Sequence, residues 1–144
     1  LVLGLGETEK DIPLLNKFIK KYSVDRLTIY RLKPQKNTIF EKSEGPSTVY
    51  YTKWIKEIRE EFPQLEIIAG SWLSHLTEIN KLIKAGANAI TKFPSIRLFN
   101  SDYAKTIEEE CKKANKELIS KLSGKVNIKT TNPSLKKYLK KMNS

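Results

Sequence analysis

Short apolar runs alternate with stretches whose apolar positions recur every three or four residues over residues 1–122. This pattern produces parallel strands covered by helices. Residues 1–5 read as a buried strand, and after Thr8 as N-cap the positions Ile12, Leu15, Phe18, Ile19 and Tyr22 fall on one helical face. Residues 26–32 form the second strand. A loop through Pro34 and Gly45-Pro46 leads to a helix carrying Tyr51, Trp54, Ile55, Ile58 and Phe62, stopped by Pro63. Residues 65–69 are the third strand. Ser74 can cap a helix with Leu76, Ile79, Leu82 and Ile83 that ends at Gly86. Residues 88–91 are the fourth strand. A last helix starts near Ser101 or Asp102 and runs with Tyr103, Ile107, Cys111, Ala114, Leu118 and Leu122 on one face to Gly124. The Lys-rich remainder reads as a loose tail with a short helix over 134–142.

The expected fold class is α/β: four parallel β/α units over 1–122, forming the C-terminal half of a (β/α) TIM-type barrel, followed by a basic tail over 123–144. A complete eight-stranded barrel takes about 250 residues, which places the other half in front of Leu1. A four-stranded open sheet that folds alone competes with this. In either case the first strand needs a partner or cover, because an exposed apolar edge invites association, and oligomers through that edge are expected.

Charge changes this picture little once it is located. The formal net charge is +11, but 112–144 hold ten Lys against Glu117 alone, or +9, which leaves +2 for 1–111. Mixed-sign runs such as Lys53, Lys56, Glu57, Arg59, Glu60 and Glu61 read as a solvated helix face, so nucleic acid is disfavoured as a partner. The tail can still touch an anionic partner. No apolar run approaches the roughly 20 residues that span a bilayer, and no signal-peptide pattern is present, so the cytoplasm is the expected compartment and no membrane segment is expected. The single cysteine, Cys111, rules out an internal disulfide and a multi-thiolate metal site made by this chain alone, and no residue here is assigned as a metal ligand.

Ligands of parallel β/α folds meet the loops that leave the C-terminal ends of the strands. Here these loops are Gly4-Leu5-Gly6-Glu7-Thr8, Lys33-Pro34-Gln35-Lys36-Asn37-Thr38, Gly70-Ser71-Trp72 and Lys92-Phe93-Pro94. Gly4 and Gly6 allow a sharp turn and close approach to a ligand. The third glycine of a dinucleotide fingerprint would fall at Glu9, and Glu7, Glu9 and Asp11 load the following turn with negative charge, so a neutral or cationic ligand suits it better than a pyrophosphate. Lys33, Lys36 and Thr38 could hold a carboxylate. Lys92 could do the same, or act as a general base if burial lowered its pKa. Trp72 could wall a ring-shaped ligand, or simply pack under its loop. His75 has no companion for a metal site, and Cys111 reads as a small hydrophobe.

Val2, Gly4 and Glu7 resemble part of the fifth-strand Gly-x-Ile-x-Gly-x-x-Glu motif of radical S-adenosylmethionine enzymes. Lys36-Asn37-Thr38 resembles the Lys-Gly-Thr after strand six in the biotin synthase-like branch, with Asn37 in place of glycine. Ile68-Ala69-Gly70 and Ala85-Gly86-Ala87-Asn88 resemble its segments around strands seven and eight. The likeness covers roughly residues 1–118, and four short motifs share order and spacing. It implies S-adenosylmethionine contact at Gly4, Gly6, Glu7 and Thr8. Substrate in that family lies over the later strand ends, which points by position more than by motif to Tyr30, Lys33, Lys36, Ser71, Trp72 and Lys92, beside Thr38 from its loop. Lys92, directly ending a strand, is also the catalytic candidate as a general base.

In such enzymes a 4Fe-4S cluster held by Cys-x-x-x-Cys-x-x-Cys reduces the cofactor to release a 5′-deoxyadenosyl radical. That loop is absent here, so the cluster ligands are expected outside this chain. The N-terminal half of the same barrel becomes the implied partner, and the fragment alone is expected to be inactive. Where biotin synthase is expected to place a strand-seven arginine, the neighbouring residues here are Glu66 and Ser71. The chain therefore looks closer to archaeal biotin synthase-like proteins, including a lipoyl synthase component. This implies sulfur insertion, as in lipoyl or biotin synthesis, on a small-molecule or lipoyl-type substrate that a carrier protein could present. A non-catalytic α/β binding module using its basic tail, and a barrel aldolase or isomerase dependent on Lys92, stay open as alternatives.

Overall fold

The computed structural model describes residues 1–91 and 93–143. It is an α/β fold with a four-stranded, all-parallel sheet in the order β1-β2-β3-β4 and, among the described residues, five α-helices. The elements are β1 (Val2–Leu3), α1 (Ile12–Lys21), β2 (Arg26–Arg31), α2 (Thr48–Glu61), β3 (Glu66–Gly70), α3 (Ile79–Ala85), β4 (Ala89–Thr91), α4 (Asp102–Lys113) and α5 (Pro133–Met142). Val2 pairs with Tyr30, Ile29 with Ala69, and Gly70 with Thr91.

Spatial order equal to chain order, with right-handed crossovers, puts every connecting helix on the same face of a sheet. Burial alternates accordingly. Leu3, Ile29, Ile67 and Ala69 are buried against α2 residues Tyr51, Trp54, Ile55 and Ile58. The alternate positions Val2, Thr28, Tyr30 and Ile68 keep part of their surface open. A second cluster joins Leu76 and Ile79 to Ile107 and Cys111 of α4.

Strands β2 to β4, the helices α2 and α3, the Gly86 stop (φ 120°) and the short C-terminal helix lie where hydrophobic spacing puts them. Four details differ. The first strand is not a buried run over residues 1–5: β1 is confined to Val2–Leu3, where Leu3 alone is buried and Leu1 and Leu5 are exposed, because the chain turns at Gly4 (φ 101°). Leu14, Phe18 and Tyr22 form an exposed stripe on α1, so only Ile12, Leu15 and Ile19 of that helix face the core. The Ser74 hydroxyl bonds Nδ1 of His75 (2.9 Å) instead of capping a helix; a 3-10 helix over Leu73–Glu78 leads into α3. The last helix ends at Lys113, well before Gly124, because Asn115 turns left-handed (φ 55°). Lys116 N–H donates to Cys111 O (3.0 Å) and Asn115 N–H to Lys112 O (2.9 Å), which closes the helix end as a Schellman motif. Leu118 and Leu122 still pack on the second cluster from an irregular segment. Among the described residues no helix is long and apolar enough to cross a membrane.

Candidate functional site

The turn after β1 is built around its own acid. Glu7 Oε1 accepts from Gly4 N–H (2.6 Å) and Oε2 from Leu5 N–H (2.9 Å), so one carboxylate satisfies two amides of the turn. Tyr50 of α2 donates to Glu7 O (3.0 Å) and reaches Oε1 (3.4 Å), tying the turn to the helix layer. Burial pushes the Tyr50 hydroxyl above the ordinary tyrosine range. Thr8 caps the following 3-10 helix Glu9–Asp11: Asp11 Oδ2 accepts from Thr8 N–H (2.7 Å), and the Thr8 hydroxyl accepts from Lys10 N–H (3.3 Å). Both glycines adopt positive φ, but for different surroundings. A Cβ at Gly4 would stand 2.7 Å from Pro46, whereas one at Gly6 (φ 118°) would meet nothing within 4 Å. Gly4 thus seats the turn on the protein, and Gly6 leaves its outer side open.

Behind the ends of β2 and β3 lies a buried polar cluster. Arg31 follows Leu27 and Ile29 on the helix-facing register of β2 and is paired with Glu78, both nearly inaccessible. Arg31 Nη1 donates to Pro46 O (2.9 Å) and Nη2 to Thr48 Oγ1 (3.2 Å), and the guanidinium lies 5.6 Å over the Tyr51 ring. Thr48 donates to Glu78 Oε2 (2.8 Å) and Ser71 to Glu78 Oε1 (3.1 Å). The Nε of Arg31 has no hydrogen-bond partner among the described residues, and burial pushes the Arg31 pKa below the ordinary arginine value. The Tyr51 hydroxyl donates to Ile29 O (2.6 Å) and accepts from Gly70 N–H (2.9 Å), bridging β2 and β3. Burial drives its pKa well above the ordinary value.

Ser71 therefore turns toward the helix layer, while Tyr30 lies on the open face beside Gly70. Lys33 and Trp72 are brought together from separate loops, with the Lys33 ammonium 5.0 Å over the indole. His75 is held below its ordinary pKa, first by burial and then by the charges of Arg31 and Lys33. Lys36 and Thr38 stay in the exposed loop, where the Thr38 hydroxyl donates to Gln35 O (2.8 Å). Asn37 there takes φ 62°, the conformation a glycine would adopt most easily. Lys92 lies outside the described residues.

Sequence reading passed over Tyr50, Arg31 and Glu78. The signal for Arg31 was available: a charge on the same strand register as Leu27 and Ile29 must be buried and paired. Nothing local in the sequence announces Tyr50, which reaches the turn across 43 residues.

No family model matches the chain. It is 40% identical over 119 residues to an uncharacterized protein of Methanocaldococcus jannaschii, an alignment that covers 83% of this chain and 33% of that protein. The chain thus spans about a third of the length of the relative it matches.

Proposed function

We propose that the chain is the C-terminal half of a radical S-adenosylmethionine (β/α) barrel. The turn over 4–8 forms one wall of the adenosyl site, and Tyr30, Lys33 and Trp72 face the substrate. The observation that carries this reading is the self-capped glycine turn, open at Gly6, at the C-terminal end of a strand in a singly wound parallel sheet. Parallel sheets are ordinarily covered on both faces or closed into barrels. Here one face keeps Thr28, Tyr30 and Ile68 partly open, and the β1 edge with the Leu14, Phe18 and Tyr22 stripe offers apolar surface to a preceding β/α unit. The positive φ of Asn37, where the related motif has glycine, supports the same reading.

The residues present fit the adenosyl cofactor in the sense that Gly6 leaves room for close approach and no third glycine or basic residue prepares the turn for a pyrophosphate. They do not fit the iron–sulfur cluster: Cys111 is the only cysteine and is buried in the second core cluster, so the cluster's ligands come from elsewhere. When bound, S-adenosylmethionine supplies the carbon radical for hydrogen-atom abstraction. The chain's own residues hold and orient. Glu7 fixes the Gly4 and Leu5 amides, Tyr50 ties the Glu7 carbonyl to α2, and the ammonium of Lys33 above Trp72 favours a substrate with an anionic group. A free lipoyl- or biotin-type substrate, whose carboxylate is not yet spent in a linkage to a carrier, meets that requirement, with sulfur insertion as the reaction.

Anaerobic iron and sulfide reconstitution of the full-length gene product should give a 4Fe-4S absorption spectrum and, with reductant, convert S-adenosylmethionine to 5′-deoxyadenosine. A full-length product that binds no cluster and forms no 5′-deoxyadenosine would overturn the proposal.

A further inference from the structure

The geometry points to a second functional surface, independent of the barrel reading: α5 and the segment leading into it form a peripheral docking surface for a bilayer that carries anionic lipids. In α5, Leu135, Tyr138, Leu139 and Met142 follow the i, i+3, i+4, i+7 spacing of one helical stripe, and Lys136, Lys137, Lys140 and Lys141 take the opposite positions. No residue of this helix is buried; Leu135 and Tyr138 are 51% and 58% exposed, and Ile128 of the preceding segment 60%. Between helix and preceding segment lies a groove of about 530 Å³ whose apolar lining, Val126, Ile128 and Leu139, is bordered by Lys129 and Lys140. An apolar floor with a cationic border complements an amphiphile with a negative head.

The surface is fixed to the body of the protein. Asn100 donates to Gly124 O (3.1 Å) and to Met142 O, and the Asn143 side chain exchanges hydrogen bonds with both backbone groups of Val126 (2.8 and 3.0 Å). After Glu117 the chain holds seven Lys, no acid and no Arg. Lysine is a flexible point charge, suited to a fluid sheet of headgroups, and this segment lacks the planar guanidinium fork that grips phosphates and guanine bidentately. Exposed leucine, isoleucine and tyrosine side chains also have no use against phosphates alone. With ten residues, α5 is too short to span a bilayer, which needs about 20, and would lie in the interface plane.

The test is co-sedimentation of the full chain with phosphatidylcholine vesicles, with and without phosphatidylglycerol at about a third of the lipid. Binding is expected only to the anionic vesicles. It should weaken about tenfold or more in K136E/K137E/K140E/K141E and, separately, in L135S/Y138S, all of them exposed positions that leave the core intact. Absence of binding to anionic vesicles would overturn the proposal. So would binding that L135S/Y138S leaves unchanged, which marks mere charge attraction, or duplex DNA binding of equal strength that is indifferent to L135S/Y138S.

Discussion

Tyr30 occupies the space that a side chain at Gly70, on the neighbouring strand, would need: a Cβ at residue 70 would stand 2.1 Å from Cδ1 of the ring. Gly70 is therefore a packing requirement of the open sheet face, and it fixes where Tyr30 stands relative to the strand ends. Gly70→Ala should lower unfolding stability by about 1–3 kcal/mol, the range of overpacking substitutions. Adding Tyr30→Ala should recover much of that loss, because the clash needs both partners. Urea unfolding of the two single variants and the double variant gives the coupling; additive effects would show that the two residues do not compete for space.

The Arg31–Glu78 pair is worth less as a source of stability than as a constraint. Removing one partner leaves an uncompensated buried charge, so Glu78→Ala should cost about 3–5 kcal/mol, whereas replacing both, as R31M/E78L, should be much milder. Denaturant unfolding of the three variants checks this. A double variant as unstable as Glu78→Ala would mean that the hydrogen bonds to Pro46, Thr48 and Ser71 hold the site together, and not the pairing of charges.

His75 sets the near-neutral pH dependence. Its folded pKa lies below the ordinary 6.5, through burial and then the charges of Arg31 and Lys33, so the unfolded chain takes up its proton first as pH falls. Stability is then fully present above about pH 7 and declines as pH drops through about 6.5. His75→Gln should flatten that decline. The acid limb below about pH 4.5 should survive in this variant. There burial pushes Glu108 up, but the Ser123 hydroxyl, the Leu122 and Ser123 N–H groups and Lys112 outweigh it and hold its carboxyl low. Urea midpoints measured across pH for both proteins distinguish the two limbs.

Most of the layer structure was legible because it depends on local periodicity: a helix-period run such as Tyr51, Trp54, Ile55 and Ile58 can bury only one face. What escaped was decided by distant partners. Phe18 and Tyr22 share the apolar spacing of Ile12 and Ile19, yet only the second pair has a core to enter. The helix stop at Asn115 lacks the glycine that usually marks one, and Leu118 and Leu122 kept an apparent period while packing from irregular backbone. At the site, sequence singled out the Gly4 to Thr8 turn and the Lys33 and Trp72 loops. It could not place Tyr50 against Glu7 or turn Ser71 toward the helix layer, because those contacts depend on Tyr50, Glu78 and Arg31 from other elements.

The turn itself offers the sharpest test of a positioning role. Glu7 accepts from Gly4 and Leu5 with separate oxygens. Glu7→Gln keeps one acceptor but sets an amide NH₂ against the other N–H donor, which should loosen the turn at a cost of about 1–3 kcal/mol. Tyr50→Phe removes the hydroxyl that donates to Glu7 O (3.0 Å) and reaches its carboxylate (3.4 Å) while leaving both amide contacts, at about 0.5–1.5 kcal/mol for the lost bond. If the turn walls the adenosyl site, the reconstituted full-length protein should bind S-adenosylmethionine about three- to tenfold more weakly with Tyr50→Phe, and more weakly still with Glu7→Gln. Gly6→Ala separates positioning from direct approach. It strains φ without meeting any protein atom, so a loss of cofactor affinity beyond what its own unfolding midpoint accounts for would report contact at that residue. Unchanged cofactor affinity in all three variants, measured by equilibrium dialysis, would move the adenosyl site away from this turn.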